Sequence, residues 1–191
     1  MPTLHWIGKD KVVNHHAEVP FRVLEHKYGF RGDNPADSSE THSGNKIIHG
    51  DNLEALKALL PEYEGKIDCV YIDPPYNTGE EGWIYNDNVN DPQIRKWLGD
   101  VVGAEGEDFS RHDKWLCMMY PRLRLLKQLL SKKGVLFISI DDNEFANLKN
   151  ICDEIFGINN FITTFIWEKR KNRENRKIVS CRHDYILCYC L

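Results

Sequence analysis

The stretch "CVYIDPPYNTG", Cys69 to Gly79, decides both the fold and the candidate site of this chain. Ile67 to Ile72 reads as a buried strand, and that strand ends abruptly at Asp73-Pro74-Pro75-Tyr76. Consecutive prolines end a sheet ladder because neither has a backbone N–H to donate. Ending a strand does not require an acid before the prolines or an aromatic ring after them. The turn is therefore a candidate functional site as well as a strand terminus.

Strands and helices alternate around this stretch. Asp51 followed by Glu54 is a capping-box pattern, and Gly134 and Gly157 are placed to end helices. Uniformly apolar strands separated by helices favour an α/β fold with a mostly parallel sheet covered on both faces. The sequence predicts a polar arm at 1–45 and one ordered domain at 46–191. Within it, strands are predicted at 46–49, 67–72, 135–140, 161–167 and 185–190, and helices at 51–60, 111–133, 141–156 and from Asp91 onward.

Bulk composition excludes several classes of protein. The 191 residues are 41% hydrophobic, no run is long enough to span a membrane, and the N-terminus lacks a secretory signal, which predicts a cytoplasmic protein. A net charge of −4 argues against a basic nucleic-acid clamp along the whole chain. The segment "KRKNRENRK" is locally basic, and it is either a solvated loop or a set of DNA-phosphate contacts made by Lys169, Arg170, Lys171, Arg173, Arg176 and Lys177.

Three acidic turns are predicted to share one edge of the sheet. Ligands of open α/β sheets bind beyond the carboxyl ends of the strands. Gly50-Asp51, the Asp73 turn and Asp141-Asp142 each follow a predicted strand. Asp51 and Asp141 each also precede a glutamate by three residues, so helix capping is an alternative and compatible role for both.

The chemistry of the Asp73 turn suits an amino group on a nucleobase. Such an amine is a poor nucleophile because its lone pair is delocalised into the ring. The Asp73 carboxylate and the Pro74 carbonyl provide two acceptors, and Pro75 has no N–H that competes for them. Stacking on Tyr76 is worth about 1–3 kcal/mol, which offsets much of the few kcal/mol lost when a base leaves its helix. The alternative is that the prolines only end the strand, Asp73 caps a neighbour and Tyr76 packs.

The residues around this turn resemble a known family. "YIDPPYNTG", with "IIHGDNLEALKALLPEYEGKID" before it and "GVLFISIDDNEFANLKNICDEIFG" after it, is similar to the amino-group DNA methyltransferases. The resemblance is nearest to the adenine-specific modification subunits of type III restriction systems, and "HWIGKDKVVNHHAEVPFRVLEHKYGF" and "HDYILCYC" extend it over nearly the whole chain. It implies a Rossmann-like fold that uses S-adenosylmethionine.

By this resemblance, Asp73 and Pro74 accept the adenine amino hydrogens, Pro75 completes the motif, and Tyr76 stacks on the flipped base. Asp at the first motif position favours adenine N6, with cytosine N4 as the alternative. The implied partners are double-stranded DNA and either a restriction endonuclease subunit or a second methyltransferase chain. The implied cofactor-binding residues are Asp51, Asn52, Asp73, Ser139 and Asp141.

The family also has a glycine-rich F-x-G-x-G turn for the cofactor. No glycine follows Gly157 here, so we expect the chain to be the first part of a longer enzyme without that turn or the target-recognition region. A non-catalytic remnant that binds DNA or a partner protein is the alternative.

Two smaller predictions concern histidine and cysteine. The spacing of Cys181, His183, Cys188 and Cys190 is not that of a known zinc finger, so no metal site is predicted. The His15-His16 pair is predicted to lie on the surface.

Overall fold

The computed structural model of the protein describes residues 3–31, 34–37, 44–78, 109–169 and 182–191. The helix predicted from Asp91 lies outside these residues, and so does the basic segment beyond Lys169. The N-terminal arm contains two short helices and one hairpin, namely α1 Lys9–Val12, α2 His15–Glu18, β1 Gly29–Arg31 and β2 Asn34–Asp37.

The main body is a four-stranded sheet with three longer helices, α3 Asn52–Tyr63, β3 Ile67–Ile72, α4 Phe109–Leu129, β4 Leu130–Ile140, α5 Phe145–Phe156, a 3-10 turn Ile158–Asn160, β5 Phe161–Glu168 and β6 His183–Cys190. The strand order is β3-β4-β6-β5. The predicted α/β class is confirmed, since strands and helices alternate along the chain from α3 to α5.

The sheet is mixed rather than mostly parallel. Only β3 and β4 pair in parallel, whereas β6 pairs antiparallel with both β4 and β5. The expectation of a mostly parallel sheet is therefore wrong for the described part of the chain. A parallel return needs a crossover of a dozen or more residues, usually a helix. Here β6 lies directly beside β5 and runs antiparallel to it, so no crossover is needed. At the junction of the two strands, the Lys169 N–H donates to the Arg182 carbonyl at 2.9 Å.

The helices cover one face of the sheet. Leu136, Ile138 and Ile140 of β4 alternate along the strand and are completely buried in the core with α4 and α5. On the opposite face, Tyr71 and Trp167 are more than 60% exposed. Coverage of both faces was expected, and the described residues provide it for one. Strand β3 forms where it was predicted. It is only partly buried, because the described helices cover one of its two faces.

Several predicted boundaries shift. Helix α3 continues through Pro61 to Tyr63, since a proline in the last turn removes a single backbone bond. Helix α4 ends at Leu129, and Gly134 lies within β4 instead of ending the helix. A Cβ at Gly134 would lie 2.8 Å from the Ile67 carbonyl oxygen, so close strand contact requires glycine there. Residues 46–49 form no strand in the described chain, and Ile47 is fully exposed.

The N-terminal arm packs on the helical layer. Trp6 Nε1 donates to Cys117 Sγ at 3.2 Å, and Lys9 Nζ forms a 2.6 Å ion pair with Glu154. Burial raises the pKa of the Cys117 thiol to about 12. His15 and His16 are buried, so their predicted surface position is wrong; both lie on α2, which packs against α4. The division into 1–45 and 46–191 stays a prediction. No helix among the described residues is long and apolar enough to cross a bilayer.

Candidate active site

The Asp73 turn lies at the carboxyl edge of the parallel strand pair. Ile72, the last residue of β3, pairs with Ile138 of β4, so Asp73 and Asp141 follow neighbouring strands at one edge. Antiparallel strand β6 begins at the same edge, and β5 ends there at Glu168. Two of the three predicted acidic turns are thus brought together by strand ends.

Asp73 presents an exposed carboxylate next to a half-buried tyrosine. Burial raises the pKa of the Tyr76 hydroxyl, and the hydrogen bond from that hydroxyl to Asp73 raises it further. Within the described ranges, no lysine, arginine or histidine forms an ion pair with Asp73. The carboxylate is accessible to a ligand, as the predicted role requires.

The two prolyl carbonyls of the turn have different surroundings. The Pro75 carbonyl accepts a 2.7 Å hydrogen bond from Nε1 of Trp115, a fully buried residue of α4. Pro74 is buried, and its carbonyl accepts no hydrogen bond from any residue that the structure describes. Pro74 is therefore the available backbone acceptor beside Asp73, whereas Pro75 anchors the turn to the helical layer.

A buried carboxylate holds the end of the turn. Asn77 has a φ of 59°, in the left-handed region that asparagine tolerates better than most residues. Its side-chain amide donates to Glu144 Oε1, which also accepts from His112 Nδ1 at 2.7 Å. Glu144 Oε2 accepts from Asn147 Nδ2 at 2.8 Å, and Glu144 is 0% exposed.

Trp115, His112 and Glu144 were all missed by sequence reasoning. A signal for Glu144 was present, because it lies four and seven residues before Leu148 and Ile151 on the apolar face of α5. An acid on an apolar helix face must be paired when it is buried.

Asp51 caps α3, as predicted. Its Oδ1 accepts from the backbone N–H groups of Leu53 and Glu54 at 2.9 and 3.1 Å. Its Oδ2 accepts no hydrogen bond from the described part of the chain. Asn52 is exposed, and its Oδ1 accepts from Nε of Arg122 at 2.7 Å. Because residues 64–66 alone join α3 to β3, the start of α3 points back toward the carboxyl edge.

The side chains of Asp141 and Ser139 form hydrogen bonds to other residues of this chain. Asp141 accepts from the backbone and side-chain nitrogens of Asn143 at 2.9 and 2.7 Å. These bonds close a local turn and do not cap α5, which begins only at Phe145, so the capping alternative for Asp141 is wrong. Ser139 lies inside β4, and its hydroxyl is 2.8 Å from that of Tyr71.

Of the predicted DNA contacts, the structure describes only Lys169. This lysine is exposed, and its Nζ lies 2.5 Å from Asp184 of β6. Arg170, Lys171, Arg173, Arg176 and Lys177 lie outside the described residues. Among those that are described, no group of three or more His, Cys, Asp or Glu side chains could hold a metal ion; Cys181 is not among them.

Comparisons with known proteins give a consistent result. A family model described as DNA methylase, N6_N4_Mtase, matches residues 67–190. The Mod subunit of the type III restriction-modification enzyme StyLTI from Salmonella typhimurium is 38% identical over 200 residues, covering 97% of this chain and 29% of that protein. The EcoP15I Mod subunit from Escherichia coli is 34% identical over 202 residues, covering 98% of this chain and 30% of that protein.

A second type of relative also matches. The type II methyltransferase M.KpnI from Klebsiella pneumoniae is 37% identical over 164 residues, covering 85% of this chain and 36% of that enzyme. Among solved structures, a Thermus thermophilus protein complexed with S-adenosyl-L-methionine has a TM-score of 0.44 at 19% identity, over 71% of this chain and 52% of that one. The chain spans between 29% and 36% of the length of the curated relatives named here.

Proposed function

We propose, because this chain belongs to the N6_N4_Mtase family of DNA methylases, that it forms the base-handling part of a DNA methyltransferase. The reaction is transfer of a methyl group from S-adenosylmethionine to N6 of an adenine flipped out of double-stranded DNA. One observation carries the proposal. Exposed Asp73 and Pro74, whose carbonyl accepts from no described residue, follow a parallel strand at its carboxyl end, within the matched residues.

The turn prepares the amine for attack. One amino hydrogen donates to Asp73 and the other to the Pro74 carbonyl, which favours a pyramidal nitrogen with a localised lone pair. The nitrogen forms a bond to the methyl carbon as the carbon–sulfur bond breaks, and one amino proton passes to Asp73. No covalent enzyme intermediate is formed, so the rate depends on the positioning of the two reactants and on the polarised amine. Tyr76 provides the face on which the flipped base stacks.

The methyl donor supplies an activated sulfonium methyl group. Of the predicted cofactor residues, Asp51 fits best, because Oδ2 remains available while Oδ1 caps α3. A carboxylate with one available oxygen suits a ribose hydroxyl or an adenine amino group. Asn52 retains its amide nitrogen for a ligand, since Arg122 binds the oxygen. Ser139 and Asp141 would have to exchange their protein partners for the donor.

The basic segment from Lys169 to Lys177 contributes the DNA contacts in this proposal. It leaves β5 at the edge where Asp73 lies and returns to β6 at the same edge. Lysine and arginine there would neutralise phosphates of the duplex next to the flipped base. Two of the relatives named above are Mod subunits of type III restriction-modification enzymes. We therefore extend the proposal to a restriction endonuclease subunit as partner, and to the bacterial cytoplasm as the place of action.

The test is transfer of labelled methyl from S-adenosylmethionine to duplex DNA by the complete gene product, followed by nucleoside analysis. We expect N6-methyladenine, and we expect Asp73→Ala to lower single-turnover transfer by roughly 10²–10³-fold, comparable to losing one transition-state hydrogen-bond partner. Asp68→Ala is the matched control, since Asp68 is an exposed acid on β3, the strand that leads to Asp73. N4-methylcytosine as the product would show that the target is cytosine N4 instead of adenine N6. Full activity of Asp73→Ala, or no transfer by the wild type, would refute it.

A further inference from the structure

We infer that Glu144 is a positioning residue for methyl transfer, because its buried carboxylate fixes the turn that carries Asp73 and Tyr76. The inference rests on the proposed function and adds to it a residue outside the D-P-P-Y motif.

The surroundings of Glu144 indicate a structural constraint directed at the turn. Its two oxygens accept from three side chains on three separate elements, Asn77 of the turn, His112 of α4 and Asn147 of α5. A carboxylate that is 0% exposed is strongly destabilising unless such donors compensate it.

Asn77 transmits this constraint to the reacting groups. It is the residue directly after Tyr76, and its φ of 59° is unfavourable for a side chain with a Cβ. The bond to Glu144 holds that conformation on one side of Tyr76. The bond from Trp115 to the Pro75 carbonyl holds the turn on the other side. The Tyr76 ring, and through its hydroxyl the Asp73 carboxylate, are therefore fixed at two flanking points.

Complete burial excludes direct contact between Glu144 and a substrate. Its effect must therefore pass through Asn77, and a displacement of about 1 Å at a reacting group can lower a rate by about 10²-fold. A positioning role predicts a lower transfer rate with both ligands saturating, while S-adenosylmethionine, held mainly through Asp51 in this proposal, binds with near-wild-type affinity. General loss of folding would instead lower both.

The pair Glu144 and Asn147 permits a rescue experiment. In Glu144→Gln the amide oxygen can still accept from Asn77 and His112, but the new NH₂ group faces the NH₂ group of Asn147. Adding Asn147→Asp restores an acceptor at that point with unchanged total charge. We expect E144Q to lower single-turnover transfer by roughly 10–100-fold, and E144Q/N147D to recover most of that loss.

Hydrogen exchange supplies a readout that needs no activity. In the complete protein, E144Q is expected to speed amide exchange in the peptide spanning 73–78, and the double variant to slow it again. The control is Glu154→Gln, because Glu154 binds Lys9 and Tyr120 far from the turn and should change neither the rate nor that peptide. Wild-type exchange in E144Q overturns the inference, as does a lost rate without faster exchange in the turn. If the wild type transfers no methyl group, the proposed function fails and exchange alone decides the role of Glu144.

Discussion

The Asp51 turn precedes a helix and the Asp73 turn follows a strand, and each contains an acid. Neighbouring residues hold the first turn, whereas residues distant in the sequence hold the second. Asp51 holds its own turn, using one oxygen for backbone groups two and three residues away. Asp73 accepts from the side-chain hydroxyl of Tyr76 and from no backbone N–H among the described residues. Its turn is fixed by Trp115 and Glu144, which lie 40 residues from Pro75 and 67 residues from Asn77. Because distant residues hold its turn, the Asp73 carboxylate stays exposed and can accept from a ligand in addition to Tyr76.

Among substitutions of Trp115, Asp51, Asp141 and Lys169, we expect the largest effect from Trp115, a distant anchor of the Asp73 turn. Trp115→Phe deletes the donor to the Pro75 carbonyl, which costs about 1–3 kcal/mol when a buried acceptor is left unsatisfied. We expect single-turnover methyl transfer to fall by roughly 10-fold or more, because the turn loses one of its two fixed points. Chemical denaturation and rapid-quench kinetics measure the two effects. Trp6→Phe is the matched control, since it deletes an indole bond to Cys117 and leaves the turn intact; equal losses of rate in both variants would contradict the contrast between the turns.

Asp51 should show two separable roles. Asp51→Ala removes the cap and is expected to destabilise the protein by about 1 kcal/mol. Asp51→Ser keeps a capping oxygen but removes the second carboxylate oxygen, so we expect near-normal thermal stability with S-adenosylmethionine affinity lowered by about 10-fold, which corresponds to about 1.4 kcal/mol. Thermal melting and calorimetric titration of the complete protein measure these. Unchanged affinity in the serine variant would leave Asp51 as a cap alone.

The Asp141 turn provides an intermediate case. Both of its oxygens are taken by Asn143, so the acid is held locally and has no free oxygen. We expect Asp141→Ala to lower stability by roughly 0.5–1 kcal/mol, the usual contribution of a hydrogen bond. Its effect on S-adenosylmethionine affinity should be smaller than that of Asp51→Ser. The reverse order in the same titration would show that the donor displaces Asn143.

The smallest expected effect, on the salt dependence of DNA binding, concerns the basic side chain of Lys169, which has a protein partner. Lys169 lies 2.5 Å from Asp184, so its charge is already partly neutralised. We expect Lys169→Ala to change the slope of log K for DNA against log salt by less than the ~0.9 of a full phosphate contact. Asp184→Asn should release the lysine and steepen the slope. A loss of a full unit in the alanine variant would show that DNA replaces Asp184 as the partner.

The features predicted correctly from the sequence depend on residues close together in the chain. The Asp51 cap needs only Leu53 and Glu54, and the bounds of β3 follow from an apolar run that ends at Asp73. The errors concern contacts that short windows do not contain. Gly134 read as a helix end, although its role is a close approach to Ile67 in another strand. The direction of β6 depends on pairing with β4, about fifty residues earlier, and no local pattern encodes it.

The same difference between local and distant contacts applies to the residues that hold the candidate site. Asp73 and its prolines are visible as a motif, since their residue types alone suggest two acceptors on a rigid frame. Glu144 reads as one acid among several in "DDNEF". Its importance becomes apparent only when α4, α5 and the turn converge on its carboxylate.

The junction between β5 and β6 has a consequence for how the protein tolerates changes in the segment that connects these strands. The bond from Lys169 to Arg182 joins the two ends of the connecting segment across the ladder, so the sheet already fixes where that segment starts and finishes. Doubling the length of a flexible loop between fixed ends costs only about 0.6 kcal/mol. We expect connecting segments of other lengths or charges to leave β5 paired with β6 and the Asp73 turn in place, because both attachment points belong to the sheet.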